Sequence, residues 1–320
     1  MVDTMTMAPL AFVEAPTTDG KSLEQLIGIT PLVRMRRIAA DLAPGVDLMA
    51  KAEWHNPGGS IKDRAALSII RSAVASGQLF PGKTLIDASS GNTGIGYAMV
   101  GAAMGYDVKL VVPASVTPER IAILRAYGAE LVLSDGMRGA DGAIDLVREM
   151  VAAEPERYYY ADQYSNPANW KAHFYGTGPE IWWQTAGQVT HFVAGLGTSG
   201  TMMGVGQYLK SFNPGVHLVS LQPDGPLHGL EGIKHMKTAK VPPIYEPDLV
   251  DENRTVKTEA AYEMARRLAR EEGLFVGVSA AAAMVAALEV ASELTAGTVV
   301  TVFPDGGYKY MSEKFWEEQA

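Results

Sequence analysis

The chain has 320 residues, a length that predicts about two domains. Apolar residues make up 47% of it and charged residues 20%, which is the composition of a folded globular protein. The formal net charge of -9 argues against a nucleic-acid binder, because neutralising phosphates needs clustered Lys and Arg. The sequence has no cysteine, which excludes disulfides, thiolate metal sites and a cysteine nucleophile.

The sequence also shows no pattern for a membrane segment or a metal site. No run approaches the ~18 uninterrupted apolar residues of a membrane span. The first 20 residues lack the basic-then-apolar order of a secretory signal and are predicted to form a loosely held arm. The six histidines show no metal-binding spacing. We therefore expect a cytoplasmic protein with no metal centre.

Short apolar runs alternate with helical patterns along most of the chain. Strands are predicted at Val46–Trp54, Thr84–Ala88, Val108–Val112, Leu131–Leu133, Tyr158–Ala161, Phe192–Ala194, Val216–Leu221 and Val299–Phe303. Helices are predicted at Ile61–Ser76, from the turn at 89–94 through Met104, from Thr117 onward, near 139–152, after the loop at 195–201, at Glu259–Glu272 and at Ala280–Leu288. This alternation predicts an α/β fold with parallel-rich sheets flanked by helices, and the number of units predicts two sheets.

The segment 56–64 reads Asn-Pro-Gly-Gly-Ser-Ile-Lys-Asp-Arg and places a lysine at a helix start. Ser60 is a natural N-cap, and Asp63 three residues later resembles a capping box. Lys62 then lies in the first turn, where the positive end of the helix dipole favours the neutral amine over the ammonium. A neutral amine can form a Schiff base or act as a general base. An exposed surface lysine fits this segment equally well.

The segment 88–94 reads Ala-Ser-Ser-Gly-Asn-Thr-Gly and joins an apolar strand to a helix. Its backbone N–H groups and the hydroxyls of Ser89, Ser90 and Thr93 form an anion-binding concavity suited to a carboxylate. Asn92 offers an amide to a ring oxygen or a similar acceptor. The alternative is a glycine turn that only lets the strand meet the helix.

The segment 195–201 reads Gly-Leu-Gly-Thr-Ser-Gly-Thr and follows a predicted strand. Glycines, hydroxyls and a helix N-terminus make a phosphate cup, although the Gly-Lys-Ser/Thr ending of a nucleotide P-loop is absent from it. The segment also matches the Gly-x-Gly-x-x-Gly dinucleotide pattern, and Asp224 lies near the expected position of the ribose-binding acid. A nicotinamide-dependent oxidoreductase is therefore a competing hypothesis.

The three segments together favour a pyridoxal phosphate enzyme. A dinucleotide enzyme requires neither a lysine at a helix start nor a separate turn for a carboxylate. A pyridoxal phosphate enzyme requires a Schiff-base lysine, a phosphate cup and a site for the substrate carboxylate. All three features are present, in separate parts of the chain.

From about Leu23 to about Ser312 the chain resembles the cysteine synthase family, the β-substituted alanine synthases of the fold-type-II pyridoxal phosphate enzymes. The resemblance rests on the three segments above together with Asn166-Pro-Ala-Asn169 and Thr177-Gly-Pro-Glu180. It extends to the B-type branch in segment 190–201, a branch whose members use O-acetylserine or O-phosphoserine and in some cases a small sulfur-carrier protein. The implied fold has two domains and is like that of the tryptophan synthase β subunit.

The resemblance also implies the cofactor, pyridoxal 5'-phosphate, and the residues that hold it. Lys62 would be the catalytic, Schiff-base lysine, Asn92 would contact the ring hydroxyl oxygen, and Ser279 would face the pyridine nitrogen while also capping its helix. The phosphate would be held by Gly197, Thr198, Ser199, Gly200 and Thr201. The substrate carboxylate would be bound by Ser89, Ser90, Thr93 and Gln163.

The implied reaction is β-replacement on an O-activated L-serine, with sulfide or carrier-bound sulfur, to give L-cysteine. Cystathionine β-synthase-like, lanthionine-forming and cysteine desulfhydrase activities are alternatives within the same chemistry, and a non-catalytic binding relative is an alternative outside it. The resemblance further implies a homodimer. It implies a smaller mobile domain over 46–154 and a larger cofactor-binding domain over 1–45 plus 155–320.

Several positions depart from the family pattern. Ile29 replaces the usual Asn, Ser89 the usual Thr, and Asp305 stands where many members have Ser. Asp224 stands where the members that use O-phosphoserine have Arg, and an acid there would repel a substrate phosphate. O-acetylserine is therefore at least as well supported as O-phosphoserine. Positive charge for a phosphate could come instead from a loop that contains His228, Lys234 and His235.

Overall fold

The computed structural model describes residues 20–114 and 116–317, so the predicted N-terminal arm lies outside the described residues except for Gly20. Strands and α-helices alternate through this part of the chain. The strands are β1 (Leu32–Arg34), β2 (Gly45–Ala52), β3 (Thr84–Ala88), β4 (Val108–Pro113), β5 (Glu130–Ser134), β6 (Tyr158–Tyr160), β7 (Val189–Gly195), β8 (His217–Pro223), β9 (Glu252–Val256) and β10 (Ala296–Phe303). The α-helices are α1 (Lys62–Ala75), α2 (Asn92–Met104), α3 (Pro118–Ala126), α4 (Gly139–Ala153), α5 (Pro167–Ala172), α6 (Gly178–Gln184), α7 (Gly200–Phe212), α8 (Thr258–Arg267) and α9 (Val278–Ser292).

The strands form two sheets, which confirms the predicted α/β class. One sheet has four parallel strands in the order β5-β4-β3-β6. The other has six strands in the order β1-β2-β10-β7-β8-β9, all parallel except β1, which pairs antiparallel with β2. Helices cover the parallel strands, so strands such as β4 are almost continuously apolar and buried.

Two strands were missed by the sequence analysis, and both lie at the edges of the six-stranded sheet. Strand β1 has only three residues, and β9 alternates exposed or half-buried polar residues without an apolar run. Edge strands face water on one side, so their sequences lack the signal that marks a buried parallel strand.

The division into a smaller domain of 46–154 and a larger domain remains a prediction. By sheet membership, β2 belongs with the six-stranded sheet because it pairs with β10 along its whole length. Strand β6 belongs with the four-stranded sheet, where it pairs with β3. By this criterion the smaller unit begins after β2, later than the predicted residue 46, and ends after β6, later than the predicted residue 154.

Small residues let helices approach their neighbours closely. Helix α9 is rich in alanine and is buried over most of its length against the six-stranded sheet. Helices α1 and α2 pack together at Gly96, where a Cβ would lie 2.9 Å from the Cβ of Ala66. This close packing brings the start of α1 beside the start of α2, and both helix starts carry predicted site residues.

Candidate active site

The carboxyl ends of β3, β7 and β10 lead into loops that surround a cavity of about 350 Å³. In open α/β sheets this end of the strands is where ligands bind. The predicted site residues that line the cavity are Lys62, Ser89, Ser90, Asn92, Thr93, Gln163, Gly197, Thr198, Ser199, Thr201 and Ser279. Gly200, the remaining predicted residue, is buried directly behind this wall as the first residue of α7. The structure thus brings the three sequence segments together.

Lys62 is the first residue of α1, and its side chain is half-buried because one face opens into the cavity. Burial lowers the pKa of Lys62, while the charges of Asp305 and Glu53 oppose that shift. Ile61, and not the predicted Ser60, occupies the N-cap position, although the Ser60 hydroxyl accepts from the Lys62 amide at 3.2 Å. Asp63 forms no capping box and accepts instead from the Gly58 amide at 2.6 Å. An exposed surface lysine is therefore the wrong interpretation, and burial is the main reason that the neutral amine is favoured.

The turn at 89–94 is closed by its own side chains. The Ser89 hydroxyl accepts from the Gly94 amide at 2.9 Å, and a Cβ at Gly94 would overlap the Ser89 carbonyl oxygen. The Thr93 hydroxyl donates to Gln163 Oε1 at 2.7 Å, which joins the turn to the segment after β6. Asn169 in turn donates to the Gln163 carbonyl at 2.6 Å. The Ser89 and Ser90 hydroxyls therefore keep a proton for a carboxylate, whereas Thr93 would donate to one only by releasing Gln163.

The glycine loop between β7 and α7 is shaped by close backbone approaches. A Cβ at Gly197 would overlap the carbonyl oxygen of Gly232, and one at Gly200 would overlap the Asn169 side chain. Ser199 takes a left-handed conformation with φ of 69°, and within the described chain its buried hydroxyl oxygen has no hydrogen-bond partner. A buried hydroxyl without a partner at a helix start is a group that a phosphate oxygen would satisfy.

Ser279 is buried at the edge of the cavity, one residue inside helix α9. Gly277 occupies the N-cap position, and no side chain caps this helix. The prediction that Ser279 caps its helix is therefore wrong, because the helix begins at Val278, two residues earlier than the sequence pattern indicated. The Ser279 hydroxyl makes no capping hydrogen bond and can therefore contact a ligand in the cavity.

A second set of residues beneath Asn92 was not predicted to be functional. The Asn92 amide nitrogen donates to Asp305 at 2.8 Å, and Lys309 donates to the Asn92 amide oxygen at 2.6 Å. Tyr310 donates its hydroxyl to the same Asp305 oxygen at 2.7 Å. The only sequence signal was that Asp305 departs from the family pattern, and nothing in the sequence pointed to Lys309.

Charges at the cavity mouth differ from those expected. Asp224 is exposed and does not line the cavity, so its charge does not face a ligand directly. Of the three residues His228, Lys234 and His235, only Lys234 lines the cavity, where its amine lies 4.3 Å from the ring centre of Tyr164. Glu231 also lines it and pairs with Arg120. The argument that an acid at 224 repels a substrate phosphate therefore loses its geometric basis.

A half-buried amine, a hydroxyl-rich turn and a glycine loop line one cavity between two α/β sheets, and these are the groups that a pyridoxal phosphate enzyme requires. Consistent with this, residues 23–305 match the family model for pyridoxal-phosphate-dependent enzymes. The chain belongs to that family.

Relatives agree over nearly the full length of the chain. The cysteine synthase of Aquifex aeolicus is 49% identical over 304 residues, which covers 93% of each sequence. Cysteine synthase B of Escherichia coli is 43% identical over 298 residues, covering 93% of this chain and 97% of the relative. The crystal structure of the cysteine synthase from Entamoeba histolytica matches with a TM-score of 0.91 at 34% identity, covering 96% of this chain and 94% of that one.

The residues present fit the family's cofactor. The buried Ser199 hydroxyl without a partner and the glycines that carry no Cβ leave room and donors for a phosphate. The Lys62 amine lines the same cavity, as a lysine that binds an aldehyde must. In the described part of the chain, no group of three or more His, Asp or Glu side chains could hold a metal ion, and no helix has the length and apolarity to cross a membrane.

Proposed function

We propose that the protein is a pyridoxal phosphate-dependent cysteine synthase, a transferase that replaces the β-substituent of an O-activated L-serine to give L-cysteine. The observation that carries the proposal is the convergence of Lys62, the 89–94 turn and the 195–201 loop on one cavity. The named relatives are cysteine synthases, and each matches more than nine-tenths of this chain, which supports the choice of reaction. A nicotinamide oxidoreductase is set aside, because the glycine loop shares its cavity with Lys62 and the family is a pyridoxal phosphate family.

The cofactor would be held by residues from three parts of the chain. Lys62 would bind the aldehyde, Asn92 would contact the ring hydroxyl oxygen, and Ser279 would face the pyridine nitrogen. The phosphate would be received by Gly197, Thr198, Ser199, Gly200 and Thr201. When bound, the cofactor supplies an electron sink for the charge that develops at the substrate's α-carbon.

The chain's own residues would orient the substrate and move its α-proton. Ser89, Ser90, Thr93 and Gln163 would bind the substrate carboxylate, because they present hydroxyl and amide groups on one side of the cavity. The Lys62 amine would take the α-proton and later return it, since burial favours the neutral form that can accept a proton. The neutral hydroxyl of Ser279 would not enforce protonation of the pyridine ring, which favours loss of a β-substituent over a long-lived carbanion.

The substrate would be O-acetylserine or O-phosphoserine, and the sulfur donor would be sulfide or a small sulfur-carrier protein. Steady-state cysteine formation from sulfide with each serine ester tests this proposal. Turnover with either ester supports a cysteine synthase and identifies the leaving group. Turnover only when homocysteine replaces sulfide would indicate a cystathionine β-synthase-like enzyme instead. A protein that holds the cofactor but turns over neither ester would be a binding relative.

We also propose a cytoplasmic homodimer in which the smaller domain moves over the cavity. Such motion would have to break the ion pair between Arg120 on α3 and Glu231 at the cavity mouth, which costs little because water reaches both side chains. The exposed apolar side chains of Ile29 and Tyr175, which flank one surface depression, suggest where the second subunit binds. Light scattering of the purified protein tests the dimer.

A further inference from the structure

The side-chain amide of Asn92 lies between a cation and a carboxyl group. Its oxygen accepts from Lys309 Nζ at 2.6 Å, and its nitrogen donates to Asp305 Oδ2 at 2.8 Å. The two partners are 217 and 213 positions away in the sequence, so this contact exists only in the folded chain. An asparagine that accepts from an ammonium at one end and donates to a carboxyl oxygen at the other has only one favourable orientation.

The identity of the two ends follows from what each partner can do. Lys309 Nζ is surrounded by three acceptors, the carbonyl oxygens of Gly58 at 2.9 Å and Gly59 at 3.5 Å and the oxygen of Asn92. An ammonium has three donors and no acceptor, so the Asn92 atom facing it must be the oxygen.

The side of the Asn92 amide that faces the Asp305 carboxyl group is equally well defined. Asp305 Oδ2 receives donors from both Asn92 and the Tyr310 hydroxyl, so that oxygen accepts whether or not the carboxyl carries a proton. Asp305 is completely buried, and its other oxygen has no hydrogen-bond partner within the described residues. The carboxyl group is therefore kept in a costly environment, which needs a reason beyond local packing.

The orientation decides what Asn92 offers to the cavity that it lines. One of its two N–H groups is used by Asp305 and its oxygen is used by Lys309. The remaining N–H makes no hydrogen bond within the described residues, so it is available as a donor to a ligand in the cavity that Asn92 lines, whereas a reversed amide would offer an acceptor. We propose that Asp305 and Lys309 are positioning residues that fix the Asn92 amide as a hydrogen-bond donor to the ring oxygen of the bound cofactor. This inference rests on the proposed function, because the ring oxygen belongs to pyridoxal phosphate.

The same pair ties together the loops that build the site. Lys309 holds the 58–59 loop, which directly precedes Lys62, while Asp305 lies beside Ser60 in a short antiparallel bridge. Among the charged groups that shift the pKa of Lys62, the Asp305 carboxyl has the largest effect, and it raises that pKa. A change at either residue therefore has two routes to the cofactor, one through Asn92 and one through the loop that precedes Lys62, and a double-mutant cycle separates them.

The test uses purified apoprotein titrated with pyridoxal phosphate, with the dissociation constant and the visible absorbance maximum as readouts. Lys309→Met and Asp305→Asn should each weaken cofactor binding about tenfold, the effect of one lost buried hydrogen bond. Both should shift the absorbance maximum. Lys309→Arg, which keeps a cationic donor, should restore much of the affinity. Lys210→Met, which changes a lysine paired with Asp251 outside the cavity, is the matched control and should change neither readout.

A double-mutant cycle with Asn92→Ala separates positioning from a merely structural role. If the pair acts through Asn92, adding Lys309→Met to Asn92→Ala should cost no further affinity. An undiminished effect in that background would overturn the inference. So would a Lys309→Met variant that unfolds at lower temperature but keeps both the wild-type dissociation constant and the spectrum. Failure of the wild-type protein to bind the cofactor at all would instead sink the proposed function.

Discussion

Arg64 and Glu180 are 116 positions apart in the sequence, yet the Arg64 guanidinium donates to the Glu180 carboxylate at 2.6 and 2.7 Å. Arg64 follows Lys62 by two residues on α1, and Glu180 lies in the first turn of α6. Glu180 also pairs with the fully buried Lys51 at 2.7 Å, and Arg64 pairs with the fully buried Glu53. This buried network fixes the helix that carries Lys62 to the six-stranded sheet.

Glu180→Ala should destabilise the protein by about 3–5 kcal/mol, because it leaves Arg64 and Lys51 buried with less compensating charge. Chemical denaturation monitored by circular dichroism measures the loss. Glu156→Ala, a change at an exposed glutamate, is the control and should cost little. A loss below about 1 kcal/mol at Glu180 would mean that the network is not important for stability.

Glu180 should also make the stability of the folded protein depend on pH. Burial alone would raise the pKa of Glu180, but hydrogen bonds and charge from Arg64, together with Lys51, bring it to about 2. A carboxyl whose pKa is lower in the folded state stabilises the fold above its ordinary value of 4.5, and that contribution is lost as the pH falls toward 2. The melting temperature should fall over this range, and it should fall less steeply in Glu180→Gln.

Lys62→Ala should reduce cysteine formation by about 10²–10⁴-fold or more, since both proton transfers depend on its amine. The apoprotein should stay folded, because the side chain faces a cavity and makes no ion pair at 4.0 Å or less with a described residue. Borohydride treatment of the holoprotein should label this lysine in the wild type only. Retained turnover in Lys62→Ala would exclude its assigned role.

Gly197→Ala should weaken cofactor binding, because the new Cβ would overlap the Gly232 carbonyl oxygen and displace the glycine loop at 195–201. Overpacking of this kind costs about 1–3 kcal/mol. Gly225→Ala is the matched control, since no atom lies within 4 Å of its added Cβ. Titration with pyridoxal phosphate measures both variants, and equal affinities would argue against a phosphate site in this loop.

Thr93→Val should raise KM for the serine ester by about tenfold while leaving cofactor affinity unchanged. The hydroxyl is lost from the carboxylate turn, and Gln163 loses its 2.7 Å hydrogen bond. Thr185→Val also removes a buried hydroxyl, which donates to Ile181 outside the cavity, and should leave KM as it is. A fall in kcat with unchanged KM would place Thr93 in the chemical step and not in substrate binding.

Much of the site could be predicted from the sequence because its residues follow local rules. Glycines and hydroxyls after an apolar strand mark a loop at the carboxyl end of a parallel strand, and such loops meet at one edge of a sheet. The contacts of Asn92 with Asp305 and Lys309 could not be predicted in this way. They join segments more than 200 positions apart, and no periodicity or spacing records which distant side chains meet.

Strand order has a consequence for how the protein is made. Strand β10 follows the other nine described strands in the sequence, yet it lies in the middle of the six-stranded sheet between β2 and β7. Until it emerges from the ribosome, the strands on its two sides have no common partner. The six-stranded sheet can therefore form only once residues 296–303 are available, and a nascent chain truncated before residue 296 should remain a target for chaperones and proteases.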